Sequence, residues 1–194
     1  MTDKRTIDVY DAKAADYAKL TLAPRSPDLK RFVALLPKGA RVLDIGCGPA
    51  ATSAHMRDAG LVPDPVDAST AMVALANETY DIGARLGTFE DISGTYDGVW
   101  ANFSLLHAAA DDLPRYLQMI ADTLPTGGAF HIGMKTGSGT ARDALDRRYT
   151  YVTVEGLQAM LADVGFTVTN TRTGTDKALA GTVDPYVICL SQKA

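Results

Sequence analysis

The chain is short of the features that would narrow its chemistry quickly. It has two cysteines in 194 residues, Cys47 and Cys189. They form no Cys-x-x-Cys pair, so the spacing of zinc and thioredoxin-type sites is missing and no metal is expected. Two isolated thiols suit a reducing compartment. Positive charge is in deficit, with 19 Lys and Arg against 23 Asp and Glu. That balance argues against a nucleic-acid partner, which needs a clustered basic face. No stretch approaches the roughly 20 apolar residues of a membrane helix. Met1-Thr2-Asp3-Lys4-Arg5-Thr6 leads into no apolar run, so no secretory signal is expected. Repeats and Pro- or Ser-rich linkers are also absent. The expectation is a cytoplasmic enzyme of one domain, large enough to bury a core without a metal or disulfide.

What is present alternates between strand-like and helix-like segments, which points to a mostly parallel sheet covered on both faces. Helices are expected over 7–20, 29–36, 50–59, 69–79, 113–124 and 153–164. Strands are expected over 41–45, 65–67, 84–86, 96–102, 129–135, 166–171 and 186–190. The second strand is kept short because Pro63 and Pro65 are normally excluded from a central strand. The last two strands have no helix between them and must pair antiparallel.

Arg41-Val42-Leu43-Asp44-Ile45-Gly46-Cys47-Gly48-Pro49-Ala50 carries the most information. Val42, Leu43 and Ile45 read as a buried strand. Gly46 and Gly48 allow a sharp turn and let a ligand sit against bare main chain. Pro49 suits the start of a helix. This is the layout of a nucleotide loop in a doubly wound α/β fold. Asp44 fixes the sign of the ligand. It would repel the pyrophosphate of a dinucleotide and attract a molecule bearing an ammonium and a sulfonium, such as S-adenosylmethionine.

Val42-Leu43-Asp44-Ile45-Gly46-Cys47-Gly48-Pro49 resembles the first motif of the class I S-adenosylmethionine-dependent methyltransferases, and the similarity runs from about Tyr10 to the C-terminus. The small single-domain type 11 branch is the nearest likeness. The resemblance implies a Rossmann-like doubly wound sheet of seven strands with the last antiparallel. It implies one domain over 1–194, with a helical lid over 1–38, a cofactor core over 39–194 and a substrate loop near 136–151. Methyl transfer would convert S-adenosylmethionine to S-adenosylhomocysteine on a small-molecule acceptor.

Site residues follow from both lines of reasoning. Asp44, Gly46, Cys47 and Gly48 form the cofactor loop. Asp67, about twenty residues on, is placed to bind both ribose hydroxyls, or else to cap the next helix. The resemblance puts Ala68 and Met72 near the adenine and Glu90 or Asp91 near its amino group. It puts Asn102 and Phe103 at the methionine portion, and Tyr10 and Tyr17 in the lid. His107 is a candidate proton acceptor at an ordinary histidine pKa, or a structural histidine bonded to backbone. Lys135, Arg142, Arg147, Arg148 and Tyr149 could bind an anionic acceptor. Of these Lys135, Arg148 and Tyr149 are selected, the last two because they precede an ordered helix.

Three other functions share the loop. A tRNA or other macromolecule methyltransferase is disfavoured by the acidic balance, and the Asn-Pro-Pro-Tyr signature of base-nitrogen methylation is absent. A non-catalytic S-adenosylmethionine-binding protein would keep the loop without turnover. An NAD(P)-dependent oxidoreductase is opposed by Asp44 and by the lack of a Tyr-x-x-x-Lys pair.

Overall fold

The computed structural model describes residues 3–21, 26–177 and 179–194. Helices α1 (Lys4–Thr21) and α2 (Pro27–Ala34) precede the sheet. The chain then runs β1 (Arg41–Ile45), α3 (Ala51–Asp58), β2 (Val62–Asp67), α4 (Thr70–Tyr80), β3 (Arg85–Leu86), β4 (Gly98–Asn102), α5 (Leu113–Thr123) and β5 (Ala129–Lys135). After these come β6 (Thr140–Arg142), β7 (Arg148–Thr150), α6 (Val154–Asp163), β8 (Phe166–Lys177) and β9 (Val183–Lys193). Seven strands form one sheet in the order β3-β2-β1-β4-β5-β9-β8. Strands β1 to β5 are parallel, and β9 runs antiparallel to both neighbours. This is the expected doubly wound α/β arrangement, with the reversed strand at the end of the chain.

Alternation in the strands feeds two cores. Leu43 and Ile45 face a large cluster with α5 and α6, whereas Val42 faces a second cluster with Leu29, Phe32 and Met56. Helix α5 meets the sheet through Leu113, Tyr116, Leu117, Ile120 and Ala121, all buried, at the spacing of one helical face. Neighbouring strands leave β1 toward opposite edges of the sheet, β2 on one side and β4 on the other. Ligands bind beyond the carboxyl ends of strands at such a switch point.

Three departures from the sequence expectation have physical causes. Strand β2 extends over Val62–Asp67 with both prolines inside it. The Val62 N–H donates to the Ala40 carbonyl, and the Val66 carbonyl accepts from Gly46 and Cys47. Residues 62, 64 and 66 therefore turn their main chain toward β1. Pro63 and Pro65 turn theirs the other way, where β3 begins only opposite Val66, so the missing N–H groups fall on an unpaired edge. Strands β8 and β9 are longer than expected, because alternating threonines carry β8 well past Thr171. The polar segment after β5 is an ordered two-stranded ribbon, β6 paired with β7.

Candidate functional site

The glycine loop follows β1 at the switch point. Gly46 has φ +74°, and a Cβ there would lie 2.3 Å from the Ser104 Cβ. Only glycine allows the segment after β4 to come this close to the loop. Asp44 is buried and its Oδ2 accepts from the Ser53 hydroxyl in the first turn of α3 at 2.6 Å. Burial pushes its carboxyl up to about 7, against the pull of Ser53. Asp44 thus stands behind the loop and not on the cleft wall. Cys47 bonds through its thiol to the Gly48 carbonyl, and burial raises its thiol pKa well above normal, so it is no thiolate.

Two carboxylates reach the cleft, Asp3, which is paired with Arg142, and Asp67 beside the loop. The Asp67 Oδ2 accepts from the Gly48 N–H at 2.8 Å and its Oδ1 from the Ser69 N–H at 2.9 Å. A carboxylate has about four acceptor positions, so two remain for a diol. Asp67 does not cap α4; the Ser69 hydroxyl does. Burial raises the Asp67 pKa, opposed by these N–H groups.

A cleft of about 690 Å³ opens over this loop, lined among others by Gly46, Gly48, Asp67, Ala68, Met72 and Ser104. The Ser104 hydroxyl is buried with no protein partner. An orphaned hydroxyl, a bare glycine cradle and a diol-binding carboxylate fit a nucleoside bearing an amino-acid tail. Glu90 and Asp91 do not line this cleft; Thr88 and Phe89 do. Thr88 and Asp91 cap each other in a short turn, which carries Glu90 outward to Arg115 and Tyr116.

Helix α1 covers the cleft. Asp11 Oδ1 accepts from the Ser69 hydroxyl at 2.6 Å and the Ala71 N–H at 3.0 Å, fastening α1 to the start of α4. Asp3 pairs with Arg142 at 2.8 Å, and the Thr6 hydroxyl accepts from the Arg148 N–H, fastening α1 to the ribbon. Tyr10 and Tyr17 line this cleft and also a second one of about 860 Å³. Asn102, Phe103 and His107 border both as well. The second cleft is walled by Lys135, Arg147, Tyr149 and, from the start of β9, Asp184 and Tyr186, with Asp176 from β8.

His107 is held on both sides. Its Nδ1 lies 2.6 Å from the Arg148 carbonyl and its Nε2 lies 2.9 Å from the Tyr10 hydroxyl. Burial lowers its pKa to about 4, which corrects the ordinary value expected from sequence. Of the selected substrate residues, Lys135 and Tyr149 reach the second cleft and Arg148 does not. The Arg148 guanidinium bonds to the His107 carbonyl at 2.9 Å. Arg147 takes the place expected for it, buried and paired with Asp143 at 2.6 Å. The signal was available: side chains alternate along a strand, so Arg147 shares the side of Tyr149. The cations of this cleft are also not free for an anion, because Lys135 is paired with Asp184.

Among the described residues no group of His, Cys, Asp or Glu is arranged to hold a metal ion, and no helix is long and apolar enough to cross a membrane. Residues 19–171 match the family model described as a methyltransferase domain. A malonyl-[acyl-carrier protein] O-methyltransferase from Enterobacter lignolyticus (strain SCF1) is 30% identical over 145 residues, 63% of this chain and 57% of that protein. The chain thus spans little more than half the length of this curated relative. The fold is similar to that of a 1,6-didemethyltoxoflavin-N1-methyltransferase from Burkholderia thailandensis, solved with 1,6-didemethyltoxoflavin and S-adenosylhomocysteine. The TM-score is 0.78 at 21% identity, covering 98% of this chain and 88% of that one. It is also similar to an S-adenosylmethionine-dependent methyltransferase from Methanosarcina mazei, with TM-score 0.76 at 16% identity, covering 88% and 99%. The fold is that of the class I methyltransferases, and the chain belongs to the methyltransferase-domain family.

Proposed function

We propose that this enzyme methylates a small molecule held in the second cleft, using S-adenosylmethionine held in the first. The observation that carries the reading is the shared border. Tyr10, Tyr17, Asn102, Phe103 and His107 line both clefts, so two ligands can meet across them. When bound, the cofactor supplies a methyl group on a positively charged sulfur.

The chain's own residues do the rest. Asp67 takes the ribose hydroxyls, Ala68 and Met72 flank the adenine, and Gly46, Gly48 and the Ser104 hydroxyl receive the amino-acid tail. Asp44 sets the loop from behind and adds negative potential. Of the expected lid at 1–38, α1 is the part that covers the clefts, its tyrosines excluding water from both, whereas α2 packs into the second core cluster. Much of the acceleration comes from holding two reactants in line. A small acceptor is favoured because the second cleft is bounded on several sides, by α1, the ribbon and the ends of β8 and β9. The chain's two free thiols suit the reducing cytoplasm.

The test is a screen for S-adenosylhomocysteine release across small phenols, amines, thiols and carboxylic acids, beside an RNA and a protein fraction. Release with a small molecule supports the reading. Label passing only into RNA or protein overturns it. Binding of S-adenosylmethionine without any transfer identifies a sensor. Heat-stabilisation by NADPH and not by S-adenosylmethionine removes the whole assignment.

A further inference from the structure

We infer that the acceptor is a neutral hydroxylated aromatic ring, methylated on oxygen, whose proton leaves through Tyr10 to His107. This rests on the two-cleft reading above and names the substrate class of the same site.

Four observations converge. The second cleft is walled by rings, with Tyr10, Tyr17, Phe103, Tyr149 and Tyr186 on its lining. Phe103 and Tyr186 meet edge to face at 5.6 Å, and Tyr10 and Tyr17 at 5.5 Å. Such walls suit a flat ring. Charge on the lining balances, with Lys135 and Arg147 against Asp176 and Asp184, and both cations are already paired, Lys135 with Asp184 and Arg147 with Asp143. An anionic acceptor would meet neither of these cations free, whereas a neutral hydroxyl needs only a hydrogen-bond partner.

The amide of Asn102 is oriented. Its Oδ1 lies 3.0 Å from Nε2 of His131, whose ring is buried and stacked on Trp100. His131 Nδ1 has no partner. A buried lone pair left bare costs less than a buried N–H left bare, so the His131 proton sits on Nε2 and points at Asn102. With Oδ1 occupied, Asn102 offers its Nδ2 hydrogens at the border of the clefts. An oxygen acceptor can receive that hydrogen bond while giving up a proton. The N–H of a neutral aromatic ring has no in-plane lone pair to receive it.

The relay has a direction. The Arg148 carbonyl can only accept, so His107 carries its hydrogen on Nδ1. Its Nε2 then holds a lone pair and accepts the Tyr10 hydroxyl. The Tyr10 oxygen accepts from Arg147 Nη1 at 2.9 Å and keeps one lone pair for the acceptor. As the acceptor oxygen bonds the methyl carbon, the carbon–sulfur bond breaks and its electron pair stays on sulfur. The acceptor proton passes to the Tyr10 oxygen, and the Tyr10 proton passes to His107 Nε2. One positive charge moves from sulfur to the imidazole, where the Arg148 carbonyl faces it. Tyr10 and Tyr17 from α1, Lys135 from β5, and Asp143, Arg147 and Tyr149 from the ribbon surround this imidazole. Burial, with Arg147 and Lys135 nearby, keeps it neutral down to about pH 4, against the opposite pull of the Arg148 carbonyl and Asp143. It is a weak base that works because the oxygen becomes strongly acidic once methylation begins.

The test uses 1-naphthol, un-ionised at neutral pH, and 2-chloro-4-nitrophenol, largely ionised there. The wild-type protein methylates both, the ionised phenol with the higher KM. In Tyr10→Phe and His107→Gln the naphthol rate at pH 7 falls about 100-fold or more. The nitrophenol rate changes by less than about tenfold, and the naphthol deficit closes as pH rises. Equal losses on the two phenols in either variant mean a merely structural role and overturn the relay. Nitrogen-15 NMR of the ligand-free wild type checks the relay without turnover: a neutral Nδ1–H tautomer at His107 supports it and an Nε2–H tautomer overturns it. Release of S-adenosylhomocysteine with amines, thiols or carboxylic acids but neither phenol overturns the hydroxylated-ring claim and leaves the methyltransferase reading standing. Release with no small molecule at all fells both.

Discussion

The two clefts share a border and are built on different principles. The first is built largely at strand ends, where two main-chain N–H groups hold the Asp67 carboxylate. Its loop and carboxylate are close in sequence, from Gly46 to Met72, and the segment after β4 adds Ser104. The second is made of side chains from distant segments: Tyr10 meets Arg147 across 137 residues and His107 across 97. A main-chain site tolerates change in most side chains around it, whereas a side-chain site is remade by each substitution. One half of this molecule can therefore keep its ligand while the other half changes partner.

Four measurements would break or sharpen that contrast. The largest effect is expected from Asp67→Ala, which removes the diol acceptor and frees the Gly48 and Ser69 N–H groups. Hydrogen bonds to a charged group are worth about 1.5–3 kcal/mol each, so calorimetry should show S-adenosylmethionine binding weakened about 100-fold or more. Arg147→Lys should act on the other side. It keeps the charge but loses the fork toward Asp143 and Tyr10, so kcat/KM for the acceptor should drop roughly 10–100-fold. Cofactor affinity should stay within about threefold, and a parallel loss of both would mean that the clefts are not separable.

Asp44 gives a pH signature. Its carboxyl titrates near 7 in the free protein, and a sulfonium favours the ionised form. Cofactor affinity should therefore rise with pH up to about 7, by about tenfold, then level off, and Asp44→Asn should flatten the profile. The sign for stability is opposite. The folded pKa lies above the unfolded one, so the unfolded chain loses this proton first and the ligand-free protein loses stability as pH rises from about 4 to about 7. Asp44→Asn should abolish that loss in thermal melts across pH. The smallest effect is expected at Ala50, which sits at φ +59° with its methyl buried. Ala50→Gly relieves about 1–2 kcal/mol of left-handed strain and loses a methyl worth about 1 kcal/mol. Chemical denaturation should place it within about 1 kcal/mol of wild type, whereas Ala54→Gly inside α3 loses both helix propensity and a buried methyl and should cost about 2 kcal/mol.

The same contrast explains what the sequence reveals. The loop at 44–48, Asp67 and the reversed last strand are legible because local spacing and chain order dictate them. The prolines of β2 mislead because the rule against them applies to hydrogen-bonded sides, and their side of β2 is unpaired along most of its length. Glu90 and Asp91 mislead because a three-residue turn capped by Thr88 rotates them out. Arg148 misleads because the segment is read as a loop; once it is a strand paired with β6, alternation puts Arg147 and not Arg148 on the side of Tyr149. His107 is found by residue type, yet its pKa is set by burial under α1, a contact between ends of the chain that sequence spacing does not encode.

The fastening of α1 to both α4 and the ribbon has a kinetic consequence. Spent cofactor and finished product lie under one roof, so neither exit opens until the same helix lifts. Rapid mixing should then reveal a burst in the first cycle followed by a slower steady rate, with loosening Asp11 or Asp3 raising the plateau more than the burst.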